Sequence, residues 1–145
     1  MFSKACEYGI KATIFIANMS EHEKRVSLND IAREIDSPVS FTAKILQTLV
    51  KSSIIDSIKG PSGGFEIKKA KAGKIKLSKI VSAIDGDSIY ISCGLGFQSC
   101  NENKPCPLHY KFIKIREDLR KMLEETSLLD LSDDINSGLT FLKRK

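Results

Sequence analysis

Ser27-Leu28-Asn29-Asp30-Ile31-Ala32-Arg33-Glu34-Ile35-Asp36-Ser37-Pro38-Val39-Ser40-Phe41-Thr42-Ala43-Lys44-Ile45-Leu46-Gln47-Thr48-Leu49-Val50 is the stretch on which the fold turns. Ser27 precedes Leu28 with Asp30 three residues on, a helix start whose apolar stripe continues through Ile31, Ala32 and Ile35. Pro38 lacks an N–H and disfavours helical geometry at Ser37, so the helix ends there. Ser40 is placed to cap the next helix, Phe41 to Val50, with Phe41, Ile45, Leu46, Leu49 and Val50 facing the core. Thr42, Lys44, Gln47, Thr48 and Lys51 are expected to point outward. Two short helices, a tight turn and a polar outer face describe a helix-turn-helix.

Downstream, Ile54–Lys59 and Phe65–Lys68 read as two strands around the turn Gly60-Pro61-Ser62-Gly63-Gly64, making a hairpin wing. Lys59 stands at its entry and Lys68, Lys69 and Lys71 at its exit. Upstream, Lys4 to Met19 carries apolar residues at helical spacing. The expected fold is mainly α with a small β-hairpin: a winged helix-turn-helix plus a long C-terminal dimerisation helix. Residues 1–86 form the DNA-binding region, with a helix from near Ser78 closed by Gly86. Residues 87–106 form an irregular cysteine loop, and 107–145 the dimerisation helix and tail. In that helix Pro107 suits the first turn, and Leu108, Phe112, Ile115, Leu119, Met122 and Leu123 make one stripe. So long a stripe with little chain left to cover it predicts a homodimer. Ser127–Leu131 is expected to dock as a short apolar segment before a frayed Lys143-Arg144-Lys145 tail.

The 145 residues carry 23 Lys+Arg against 18 Asp+Glu, a net charge of +5, with 41% hydrophobic residues, as in one ordinary globular domain. The excess lies entirely in residues 1–79, which points that half at a polyanion, nucleic acid before membrane. No secretory leader and no run of about 18 apolar residues is present, so a cytoplasmic protein with no membrane partner is expected. An enzyme is disfavoured: there are two histidines, no acid–base pair stands out, and Gly60–Gly64 lacks the lysine and helix of a phosphate-cradling loop.

Cys93-Gly94-Leu95-Gly96-Phe97-Gln98-Ser99-Cys100-Asn101-Glu102-Asn103-Lys104-Pro105-Cys106-Pro107-Leu108-His109 gathers three thiols and an imidazole. In a reducing compartment such cysteines serve metal binding, redox chemistry or burial. Soft thiolates suit an iron–sulfur cluster, and the wide spacing suits a multi-atom cofactor. A Cys3His zinc site and a thiol switch remain the alternatives. They correspond to a zinc-stabilised or thiol-redox interaction module that holds no cluster. Cys6 reads as a small buried hydrophobe.

Ser3-Lys4, Tyr8-Gly9, Ser27-Leu28-Asn29-Asp30-Ile31-Ala32, Ile45-Leu46-Gln47-Thr48-Leu49, Lys59-Gly60-Pro61-Ser62-Gly63-Gly64-Phe65, Ile84-Asp85-Gly86 and the cysteine loop occur in order. Together they resemble the Rrf2 family of winged-helix transcription regulators along nearly the whole chain. The resemblance implies a dimeric regulator that binds a palindromic operator on double-stranded DNA. It implies a [2Fe–2S] or [4Fe–4S] cluster on Cys93, Cys100 and Cys106, as in the cluster-biogenesis and nitric-oxide-sensing branches. His109 matches the fourth ligand of the first branch. Glu7 lies near an aspartate that the second supplies from the partner subunit, though a helix-terminal carboxylate is its simpler role. In the expected complex Ser40, Thr42, Lys44 and Gln47 face the major groove, while Lys59, Gly60, Pro61, Ser62, Gly63 and Gly64 approach the minor groove. Many relatives carry arginine where Lys59 stands, and arginine suits a narrow minor groove better.

Overall fold

The computed structural model describes residues 1–98 and 100–143. Helix α1 (Lys4–Glu21) is capped by the Ser3 hydroxyl, which accepts the Cys6 N–H at 3.0 Å, and it buries Cys6, Ala12, Ile16 and Ala17. Helix α2 (Leu28–Glu34) opens with the expected capping box: Asp30 N–H donates to the Ser27 hydroxyl while Ser27 N–H donates to the Asp30 carboxylate. The turn passes through Asp36 at φ 54° to Pro38.

Helix α3 (Val39–Lys51) begins two residues earlier than expected, with Pro38 itself in the capping position. Ser40 is therefore not the cap but lies in the first helical turn, where Pro38, fixed in φ and lacking a donor, already sets the entry. Ile45, Leu46 and Leu49 fill the core as the spacing predicts.

Strands β1 (Asp56–Ile58) and β2 (Gly64–Glu66) pair antiparallel, with Ser57 opposite Phe65, and Val26 bridges to Phe65 on the far side. The strands are shorter than expected because Ile54 and Ile55 turn wholly into the core instead of alternating along a sheet. A single turn, α4 (Lys69–Ala72), follows at the exit of the wing; buried Ala72 anchors it. Helix α5 (Leu77–Asp85) ends at Gly86, whose φ of 73° closes it as foreseen. Ser3 N–H donates to the Asp85 carboxylate at 3.0 Å, tying the start of α1 to the end of α5.

The segment expected to be irregular contains one ordered turn, α6 (Ser88–Ile91), held by buried Tyr90 beneath the Arg120 guanidinium at 4.3 Å. Helix α7 (His109–Glu125) spans 17 residues, and Pro107 stands before it, outside the first turn, with Leu108 as the cap. Its expected stripe divides. Leu123 is buried and Phe112 and Leu119 are half-buried, whereas Ile115 and Met122 are 55% and 48% exposed, and Tyr110 and Ile113 are exposed too. Helix α8 (Leu128–Asn136), longer than the expected docking segment, has its own Ser127–Asp130 capping box. It returns to α1, where the Asn18 amide donates to Asn136 Oδ1 at 2.8 Å. Of the expected tail, Arg144 and Lys145 lie outside the described residues.

Candidate functional site

Ser40, Lys44 and Gln47 are exposed on one side of α3, where a helix-turn-helix presents its reading surface. Thr42 is not with them. It is fully buried, donating its hydroxyl to the Pro38 carbonyl at 2.8 Å and sharing a hydrogen bond with the Ser37 hydroxyl. A threonine one turn into a helix can bond back to the carbonyl four residues earlier, and here that bond locks the turn between α2 and α3. The expectation that Thr42 points outward is corrected accordingly.

Lys59, Gly60, Pro61 and Ser62 form the exposed tip of the wing. Gly63 is required there by space, since a Cβ on it would stand 2.1 Å from the Ile58 carbonyl oxygen, and Gly64 by its φ of 137°. Arg25, which sequence reasoning missed, fastens the wing: its guanidinium donates to the Ser62 carbonyl at 3.0 Å and to Glu66 at 3.1 Å. Nothing local in the sequence pairs residues so far apart. Lys71 is paired with Asp56 at 3.4 Å and braces the hairpin base. Lys44, Lys51, Lys59, Lys68 and Lys69 are exposed with no carboxylate partner among the described residues. Unpaired cations on helix and wing are suited to phosphate contacts.

Cys93, Cys100, Cys106 and His109 line one cleft of about 470 Å³ with Phe97 and Lys104. They stand in two pairs. Cys93 Sγ is 3.9 Å from Cys106 Sγ, and Cys100 Sγ is 3.1 Å from His109 Nδ1. Arg116, two turns further along α7, donates to Cys100 Sγ at 3.3 Å and to the Ser92 carbonyl at 2.6 Å. Sequence reasoning missed Arg116, although its place seven residues after His109 puts it on the same helix face. Backbone N–H groups of Leu95 and Phe97 directed at Cys93 hold its thiol below the usual range. Gly94 lies under Phe112, where a Cβ would come within 2.2 Å of the ring, so the Cys93 turn is seated directly on α7.

Among the described residues no three His, Cys, Asp or Glu side chains converge as a single ion requires. The donors nonetheless fit an iron–sulfur cluster, which takes thiolate and imidazole at spread positions. His109 is buried, and its Nε2 has no hydrogen-bond partner among the described residues. Glu7 is half-buried on α1 and pairs with Lys4 at 3.6 Å. Cys6 stands apart from the cleft, its thiol pushed up to about 12 by burial and then by Asp85.

The family profile described as Rrf2, iron-dependent transcriptional regulator, matches residues 2–134. The chain belongs to the Rrf2 family. It is 26% identical to the HTH-type transcriptional regulator IscR of Erwinia tasmaniensis, over 86% of this chain and 73% of that protein. It is 25% identical to the HTH-type transcriptional regulator NsrR of Geobacillus kaustophilus, over 96% of this chain and 94% of that protein. Among solved structures, CymR, the global cysteine regulator of B. subtilis, superposes with a TM-score of 0.74 at 21% identity, covering 92% of this chain and 96% of that one. This Rrf2 chain is a transcriptional regulator and not an enzyme, and its mainly helical fold with a two-stranded wing is the family's. No helix among the described residues is long and apolar enough to cross a membrane.

Proposed function

We propose that this Rrf2 regulator acts as a cytoplasmic homodimer on a palindromic operator and senses iron–sulfur, redox or nitric-oxide status through a cluster on Cys93, Cys100 and Cys106, with His109 as fourth ligand. The observation that carries the reading is that three thiols and one buried imidazole, its Nε2 without a partner among the described residues, line a single cleft. When bound, the cluster supplies chemistry sensitive to redox state and small ligands. Glu7 is the less favoured donor, because Lys4 already holds its carboxylate.

Exposed apolar side chains of α7, Ile115 and Met122 on one flank of its buried stripe and Tyr110 and Ile113 on the other, support dimerisation along that helix. Ser40, Lys44 and Gln47 then address the major groove, while Lys59 and the Gly60-Pro61-Ser62-Gly63-Gly64 tip address the minor groove. Thr42 serves the turn instead. Arg116 links Cys100 to α7 and to the end of α6, so a change at the thiols is passed to the helix that spaces the two reading heads.

The test is anaerobic purification with iron, acid-labile sulfide and zinc measured per chain, followed by operator binding with and without the cluster. Iron and sulfide in equal amounts, lost in Cys100→Ser together with a change in operator affinity, support the reading. Zinc without sulfide points to the zinc-stabilised module, and equal affinity in both states removes the switch while leaving the DNA-binding function.

A further inference from the structure

Three cysteines in one loop permit three pairings, and the structure distinguishes them. Cys93 and Cys106 are each partly exposed, with their sulfurs 3.9 Å apart. A disulfide needs about 2.05 Å, so the sulfurs must close by roughly 2 Å, within reach of side-chain rotation and a small loop adjustment. The described residues of the segment between them form no helix or strand and include Gly94 and Gly96, the latter at φ 82°. Cys100 is restrained differently. His109 and Arg116, both on α7, hold its sulfur at 3.1 and 3.3 Å and orient it toward the helix.

We infer that Cys93 and Cys106 form an intramolecular disulfide when a hydroperoxide reaches the cluster-free protein, and that Cys100 is left as the unpaired thiol of the loop. The chemistry balances without a further reactant. The first thiolate of the pair attacks a peroxide oxygen; its S–O bond forms, the O–O bond breaks, and the departing alkoxide or hydroxide takes a proton from water. The second sulfur then attacks the first, forming the S–S bond and expelling hydroxide, which leaves as water with the second thiol's proton. Two thiols are oxidised by two electrons and one hydroperoxide is reduced to an alcohol, or to water, with one more water released.

The pairing does not depend on the cluster reading, since it concerns the same cleft unloaded. Its consequence under that reading is that the oxidised chain has lost two of the three thiolates and cannot reload until a thiol reductant restores them.

The experiment uses the full chain, stripped with a chelator under anaerobic conditions, treated with one equivalent of hydrogen peroxide and blocked with N-ethylmaleimide in denaturant. Cleavage after Phe97 and after Glu102 separates the three cysteines, and non-reducing mass spectrometry identifies the linked peptides. The expected result is a Cys93–Cys106 link with Cys6 and Cys100 alkylated. Cys100→Ser forms the same link at an unchanged rate, whereas Cys93→Ser and Cys106→Ser form none. A link involving Cys100, a predominantly intermolecular product, or sulfinic acid at one cysteine with no link would overturn the inference. Iron and sulfide content measured before stripping reports separately on the cluster, so either idea can fail alone.

Discussion

Thr42→Val sets the buried position of Thr42 against an outward, DNA-contacting one. The substitution keeps shape and volume but deletes the hydroxyl that donates to the Pro38 carbonyl at 2.8 Å and bonds the Ser37 hydroxyl. Neither partner is stranded. The Pro38 carbonyl still accepts the Thr42 N–H at 2.9 Å, and half-exposed Ser37 can turn to water. The cost is therefore the net worth of two hydrogen bonds, about 0.5–1.5 kcal/mol each, reduced by about 0.8 kcal/mol for the added buried methyl. A loss of about 1 kcal/mol follows, or roughly 2–4 °C in Tm for a chain of this size. Urea unfolding measures that, and fluorescence anisotropy measures binding to an operator selected from a randomised duplex pool. Thr42→Val leaves the affinity and salt dependence of folded protein unchanged. Lys44→Ala, at an exposed position, leaves stability unchanged and lowers the slope of log K against log salt by about 1, as one lost phosphate contact requires. A tenfold loss of operator affinity in Thr42→Val with wild-type stability would refute the placement.

Gly63→Ala forces a methyl to within 2.1 Å of the Ile58 carbonyl, so the wing tip must shift; circular dichroism should show the helices intact while operator affinity falls. In the folded, cluster-free protein at neutral pH, iodoacetamide should label Cys93, Cys100 and Cys106 but spare Cys6, whose thiol burial pushes up to about 12; labelling of all four at one rate would contradict this. Asp30 and Asp130 have their carboxyls held below the usual range, chiefly by the backbone N–H of Ser27 and of Ser127. A depressed folded-state value means the two caps add stability that is complete above the unfolded carboxylate range, near pH 4, and is lost as pH falls through the folded values. Replacing both with Asn should flatten that acid limb of the stability curve, and an unchanged limb would assign acid sensitivity elsewhere.

Most of the reading head was legible because its signals are local. Ser27 with Asp30 makes a capping box within four residues, Pro38 ends one helix, and Gly86 closes another by adopting a backbone few residues tolerate. Thr42 was misplaced because periodicity assigns a polar residue to the solvent, whereas a side chain that satisfies its hydroxyl on its own helix can be buried. Arg25 and Arg116 were invisible because their partners, Ser62, Glu66, Ser92 and Cys100, are fixed only by tertiary packing. The cysteine loop was legible as a site but not as two pairs, since spacing along the chain does not say which sulfurs a loop brings together.

Gly9 shows how closely the helices behind the reading head are fitted. A Cβ on Gly9 would stand 2.2 Å from Ile84 Cδ1 of α5 and 3.5 Å from Ile45 Cγ2 of α3, so the missing side chain is the space into which Ile84 reaches. Gly9→Ala removes the entropy cost of glycine within α1, a gain of about 1 kcal/mol, against overpacking of about 1–3 kcal/mol. Ile84 is only half-buried and the collision is with its terminal methyl, which places the penalty toward the lower end but above the gain. A small net destabilisation, about 0.5 kcal/mol, is expected from these opposing terms. The decisive measurement is the double variant with Ile84→Val, which deletes the colliding atom and should recover the helix gain, making the two changes strongly non-additive. Additive losses in that cycle would mean that Ile84 does not use the space over Gly9, and that α5 is not keyed to α1 and α3 at this point.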